Sequence, residues 1–171
     1  MVSEGMAKVF ATFGYVVTYK QPFRWAVRRF GGLAETIRQK VSRWAGSVAS
    51  RAAPRSIDDD EFAGTIHQPP DEVEDLLEDE GFIRNLLSRL KTRNGEPEIG
   101  SWVYREDPRV EYQLHVMIFS GDDDSVDVYA HHEYSSVNPD VAYQHFTGDK
   151  LDPEGGVVRV REKLPIDASD G

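Results

Sequence analysis

The chain has 171 residues, 39% of them apolar, no cysteine, and 20 Lys or Arg against 30 Asp or Glu, for a formal charge of −10. That length fits one ordinary domain with an appendage. The missing cysteine excludes a disulfide framework, a thiolate metal site and a cysteine nucleophile, and fits a cytoplasmic protein.

The charge is divided along the chain. Residues 1–56 hold ten bases against two acids, Glu4 and Glu35, a balance of +8, while residues 57–171 hold ten bases against 28 acids, a balance of −18. The bases are 14 Arg and 6 Lys. Acid excess with Arg preferred over Lys resembles a halophilic archaeal proteome. The reading by segments is a basic amphipathic arm over 1–49, a linker over 50–70, an acidic α+β domain over 71–165 and a disordered tail over 166–171.

The apolar-rich run 9–19 is about half the ~20 residues a membrane-spanning helix needs. Arg28-Arg29-Phe30 hints at a twin-arginine export signal, but Glu35, Arg38 and Lys40 follow where an apolar stretch is required. Stepping 100° per residue places Phe23, Ala26, Val27, Phe30, Leu33, Ala34, Ile37, Val41, Trp44 and Val48 within about 120° of a helical wheel. Arg24, Arg28, Arg29, Glu35, Arg38, Gln39, Lys40 and Arg43 fall outside that arc, and so does Trp25. Gly31-Gly32 predicts a kink. The arm can bury its stripe on the rest of the protein or on a second subunit. Alternatively it can lie on an anionic membrane surface with its Arg stems snorkelling. Its Arg and aromatic residues would also suit nucleic acid, but the acidic balance of the whole chain argues against that partner. The residues that would carry an interaction are Phe23, Arg24, Trp25, Arg28, Arg29, Phe30, Ile37, Arg38, Lys40 and Trp44.

The acidic tetrad Asp58-Asp59-Asp60-Glu61 lacks the alternation and the glycine of a calcium loop and reads as solvated linker. Asp71 and Glu74 form a capping-box pattern. Val73, Leu76, Leu77, Ile83, Leu86, Leu87 and Leu90 then make a stripe, which predicts a helix over 71–92 stopped by Asn94-Gly95. Strands are expected over 101–106, 110–119 and 126–135, with a turn at 121–125, a short helix from Pro139 to Gly148, and a last strand over 156–163. The order αβββαβ gives an α+β domain with a mostly antiparallel four-stranded sheet and helices on one face.

Alternation in 110–119 and 126–135 fixes the register across the turn. Leu114 should oppose His132, His115 should oppose His131, and Gln113 should oppose Glu133. One face then carries Glu111, His115, His131 and Glu133, with Arg159 or Arg161 beside them, while His132 points into the core. The plain expectation is an open polar face in water, with His115 and His131 exposed and His132 protected. His115, His131 and Glu133 are also a donor set for zinc or another divalent ion, or for an acid/base pair. There is no His-Glu-x-x-His helix, no phosphate loop and no cofactor motif, and no cofactor is expected. The sequence thus reads as a non-enzymatic interaction or regulatory protein, with its arm on a protein partner or an anionic membrane surface. The alternative is a small enzyme or metal-binding protein using the polar sheet face.

Overall fold

A computed structural model of the chain describes residues 2–20, 23–46, 54–86 and 88–167. Its class is α+β, as expected, and the basic N-terminal segment is helical. Two helices open the chain, α1 (Glu4–Tyr19) and α2 (Phe23–Gly46). Ser3 caps α1 by accepting from the Met6 N–H, and α2 is kinked at Phe30, one residue before the Gly31-Gly32 pair. No helix among the described residues is long and apolar enough to cross a membrane.

The span expected as linker is structured where it is described. β1 (Arg55–Ser56), a 3₁₀ turn (Asp59–Glu61) and β2 (Phe62–Ile66) fall inside it. β2 is an edge strand of the main sheet, and Ala63 and Ile66 are buried in the core. The expected tail is also engaged at its start. Asp167 exchanges backbone hydrogen bonds with Thr65 at 2.9 and 3.2 Å, and residues 168–171 lie outside the described residues.

The helix expected over 71–92 is shorter: α3 runs Pro70–Asp79. Gly81 has φ +84°, a left-handed conformation that suits glycine, and Phe82 N–H closes back on Leu77 at 2.9 Å. Beyond it Ile83 lies in β3 (Ile83–Arg84) and Leu90 is buried outside any helix, while Leu87 lies outside the described residues. Asn94-Gly95 turns out to be a hairpin turn rather than a helix stop. Both residues have positive φ, the two-residue loop that matches strand twist, and it joins β4 (Lys91–Arg93) to β5 (Glu96–Pro97).

β6 (Gly100–Tyr104), β7 (Tyr112–Ser120) and β8 (Val126–Tyr134) complete a five-stranded antiparallel sheet in the order β2-β8-β7-β6-β3, so four strands undercounts it. β1, β4 and β5 form a second, three-stranded sheet. The Gly121–Ser125 turn holds the hairpin, with Asp123 and Asp124 in left-handed backbone at φ 50° and 57°. It sets Ser120 opposite Val126, and the ladder follows in the expected register.

The last expected strand is a helix, α5 (Pro153–Lys163). Asp152 accepts from Gly155 N–H at 2.9 Å and Pro153 sits in the first turn. Cap and proline outweigh two glycines and a Val-rich run that read as strand. α3 and α5 pack on one sheet face, where Val73, Leu77 and Val160 meet Val116, Ile118, Val128 and Ala130. Gly156 lies against the backbone of His131, where an added Cβ would overlap the strand.

The opposite face is not open to water. Met117, Phe119 and Tyr129 cluster there with Ile57 and Phe62, and Gln113, His115 and His131 are buried. α4 (Ala142–Thr147) and the 3₁₀ turn reach this face through His145 and Glu61. Helices confined to one face is therefore corrected.

Candidate metal centre

The ladder places His115 directly opposite His131, and Gln113 opposite Glu133. Cross-strand neighbours stand roughly 5 Å apart at Cβ, so their side chains converge. His115 Nδ1 and His131 Nε2 are 3.1 Å apart. Glu133 Oε1 is 3.4 Å from His115 Nδ1, and its Oε2 is 3.5 Å from His131 Nε2. One ligand atom from each of the three residues thus lies within 4.8 Å of the others. His145 Nδ1 stands 3.4 Å from Glu133 Oε2 while lying 3.0 Å from the Tyr134 carbonyl.

A second ring of side chains holds these groups. His131 Nδ1 pairs with the buried carboxylate of Glu61. Ser101 Oγ lies 2.8 Å from His115 Nε2. Gln113 donates to Glu133 Oε1 at 2.6 Å and accepts from Arg105 Nε at 2.8 Å, so Arg105 acts on Glu133 through an amide. Ser101 continues to Ser88 at 2.8 Å, and Ser88 Oγ accepts from Arg38 Nη1 at 2.6 Å. A polar chain therefore runs from Arg38 of α2 to Glu61.

Burial pushes His115 down to about 4, against the opposing pull of Glu133. Burial also acts against a charged His131, but hydrogen bonds and charges from Glu133 and Glu61 outweigh it and raise His131. Glu133 is held well below the carboxylate range; burial opposes this, and His145, His115 and His131 overcome it. Glu61 is lowered as well, because its contact with His131 exceeds the cost of its own burial. Two carboxylates, Glu61 buried and Glu133 half-buried, thus stay ionised beside rings of which one resists protonation. That is a cluster matched to positive charge.

The expected exposures are reversed. His115 and His131 are buried, whereas His132 is half-buried and stacked on Tyr112 at 5.3 Å between ring centroids. The register holds; the assumption that the less apolar face meets water does not. Glu111 is exposed in the residue before β7 and outside the cluster. Arg161 donates to the Ala63 carbonyl at 2.7 Å, on the helix that replaced the last strand. Sequence reasoning missed Glu61, Ser101 and Arg105. For Glu61 a signal was present: Phe62-Ala63-Gly64-Thr65-Ile66 reads as a strand, so the acid before it enters the sheet rather than a linker.

Of the arm residues, Trp25, Arg29, Phe30, Ile37 and Lys40 are exposed and Arg38 is buried. The side chains of Phe23, Arg24, Arg28 and Trp44 lie outside the described residues. Arg38 Nη2 reaches Glu35 at 2.7 Å and Glu98 at 2.8 Å, and Gln39 donates to the Glu98 carbonyl at 3.0 Å. Comparison with known proteins gives no matching family model, no matching curated protein and no matching solved structure.

Proposed function

We propose that the chain is a metal-binding protein whose buried sheet face takes one divalent ion on His115, His131 and Glu133. The observation that carries this reading is the spacing of the three donor atoms. A tetrahedral ion held at the usual metal–nitrogen distance separates its ligands by about 3.3–3.4 Å. Here the two imidazole nitrogens are 3.1 Å apart, each lies 3.4–3.5 Å from a different oxygen of Glu133, and with one atom from each residue the donors all lie within 4.8 Å of one another. The outer partners add support. Metal-bound imidazoles nearly always engage a carboxylate, carbonyl or hydroxyl through their second nitrogen, as His131 does with Glu61 and His115 with Ser101. Imidazole with carboxylate suits zinc, and equally iron or another first-row ion. A further imidazole, His145, has its Nδ1 3.4 Å from Glu133 Oε2.

The test is titration of the purified full chain with Co²⁺, read by visible absorption, followed by competition with Zn²⁺. One ion per chain should bind. His115→Ala and His131→Ala should each abolish the cobalt bands, while His67→Ala should leave them intact. A full-length, folded chain that takes up neither ion would overturn the proposal.

A further inference from the structure

Both N-terminal helices dock the wrong way round for a soluble protein. α2 buries its polar side: Glu35 is 4% exposed and Arg38 8%, whereas Leu33, Ile37 and Val41 are 62%, 52% and 53% exposed. The cause is the ion cluster beneath the helix. Glu98 accepts from Arg38, Glu35 closes on the same guanidinium, and Gln39 ties down the Glu98 carbonyl. These contacts fix the rotation of α2. At 100° per residue, Leu33, Ile37 and Val41 then centre about 150° away from them. α1 follows the same rule with different residues. Ala7, Ala11 and Gly14 are buried, and Ala142 of α4 belongs to the same small cluster as the two alanines. Met6, Val9, Phe10 and Phe13, spaced i, i+3, i+4 and i+7, remain exposed.

A soluble monomer rarely leaves so many large apolar side chains in contiguous helical rows without a partner for them. Charge selects the partner. The segment 1–56 has a balance of +8, and Arg29 and Lys40 are exposed on the helix that carries the outer stripe. Two such arms placed face to face would repel each other, whereas an anionic bilayer would attract their charge and take their aromatic residues into its headgroup–acyl boundary. We infer that the N-terminal helices dock on the surface of an anionic lipid bilayer, with Leu33, Ile37 and Val41 entering the headgroup–acyl boundary. Trp25 and Phe30, in edge contact at 6.0 Å, suit the same boundary. The acidic remainder, at −18, then faces away from the lipid. This inference is independent of the metal.

The experiment is co-sedimentation of the full chain, in chelator, with phosphatidylglycerol/phosphatidylcholine vesicles and with phosphatidylcholine vesicles, at low and high salt. Binding should favour the anionic vesicles and weaken with salt without vanishing, because screening removes the Coulomb part and leaves the apolar part. The double variant Leu33→Glu/Ile37→Glu changes exposed side chains only, and unchanged circular dichroism will show that its fold is kept. It should lose about tenfold or more in vesicle affinity for each apolar side chain removed. Equal sedimentation of the variant and the parent chain would overturn the inference. So would a dimer in sedimentation equilibrium that the variant abolishes, since the stripe would then belong to a second copy.

Discussion

His115 Nδ1 faces His131 Nε2 across the β7–β8 ladder at 3.1 Å, with the two rings nearly perpendicular at 88°. Two nitrogens at that distance cannot both carry a proton on the facing side. Either one proton is shared between them, or a cation takes the place between both rings and Glu133. Burial lowers His115, whereas hydrogen bonds and charges from Glu133 and Glu61 outweigh burial and raise His131. A divalent ion bound there would displace that proton, so metal uptake should release protons and weaken as pH falls.

Glu61→Gln should keep one ion per chain but reduce affinity about 10–100-fold. The carboxylate touches His131 Nδ1 and makes the opposite nitrogen a better donor; the amide keeps the shape and loses the charge. Competition against a chromophoric chelator measures the change. An unchanged affinity would mean that Glu61 serves packing alone.

Arg38→Met should destabilise the fold by about 3–5 kcal/mol, because Glu35 and Glu98 remain buried without their cation. Denaturant midpoints give the value. Arg38→Met/Glu98→Gln should recover a large part of the loss, because the second change removes one stranded charge. If the double variant is as unstable as the sum of the single ones, the two residues do not act as a pair.

Glu98 supplies a pH dependence of defined sign. Its Oε1 accepts from Arg38 and from Lys91 N–H, while its Oε2 is buried with no hydrogen-bond partner among the described residues. Burial is the larger effect and pushes the carboxyl from its ordinary 4.5 up to about 7, despite Arg38. A carboxyl raised on folding stabilises the fold fully below 4.5, and that contribution is lost as pH rises through about 7. The stability difference between the parent chain and Glu98→Gln should therefore shrink or reverse between pH 4.5 and 7. Taking the difference cancels the groups that the two proteins share. A flat difference would place the proton elsewhere.

Gly156→Ala should cost about 1–3 kcal/mol or more, because the added methyl meets the backbone of His131 and neither side can yield cheaply. The same change should loosen the proposed metal site from behind, since it displaces the strand that carries His131. Gly32→Ala is the control: a Cβ there meets nothing, and the better helix former should be neutral or stabilising. Thermal melts of both variants distinguish a packing effect from a general glycine effect.

The hairpin was legible because its alternation and its Gly-Asp-rich turn act locally and agree with each other. They fixed the His115–His131 pairing without reference to the rest of the chain. What covers that face was not legible. Burial of His131 depends on Glu61, 70 residues away, and the docking of α2 depends on Glu98, 60 residues from Arg38. Neither contact leaves a periodic trace in the sequence. The helix–strand errors have a different origin. In 153–163 the cap Asp152 and Pro153 prevailed over Val content, and after Asp79 the turn at Gly81 interrupted a stripe that composition alone continued.

The three donor residues all belong to one hairpin, whereas their outer supports arrive from distant parts of the chain. A hairpin closes in microseconds; contacts spanning 60 or 70 residues must first overcome loop-closure entropy. The local unit can therefore gather His115, His131 and Glu133 before Glu61 or Arg38 is in place. An ion captured at that stage would act as a template for folding, holding the register while β2 and the N-terminal helices close over it. The rate of refolding, and not only the final stability, should then respond to metal.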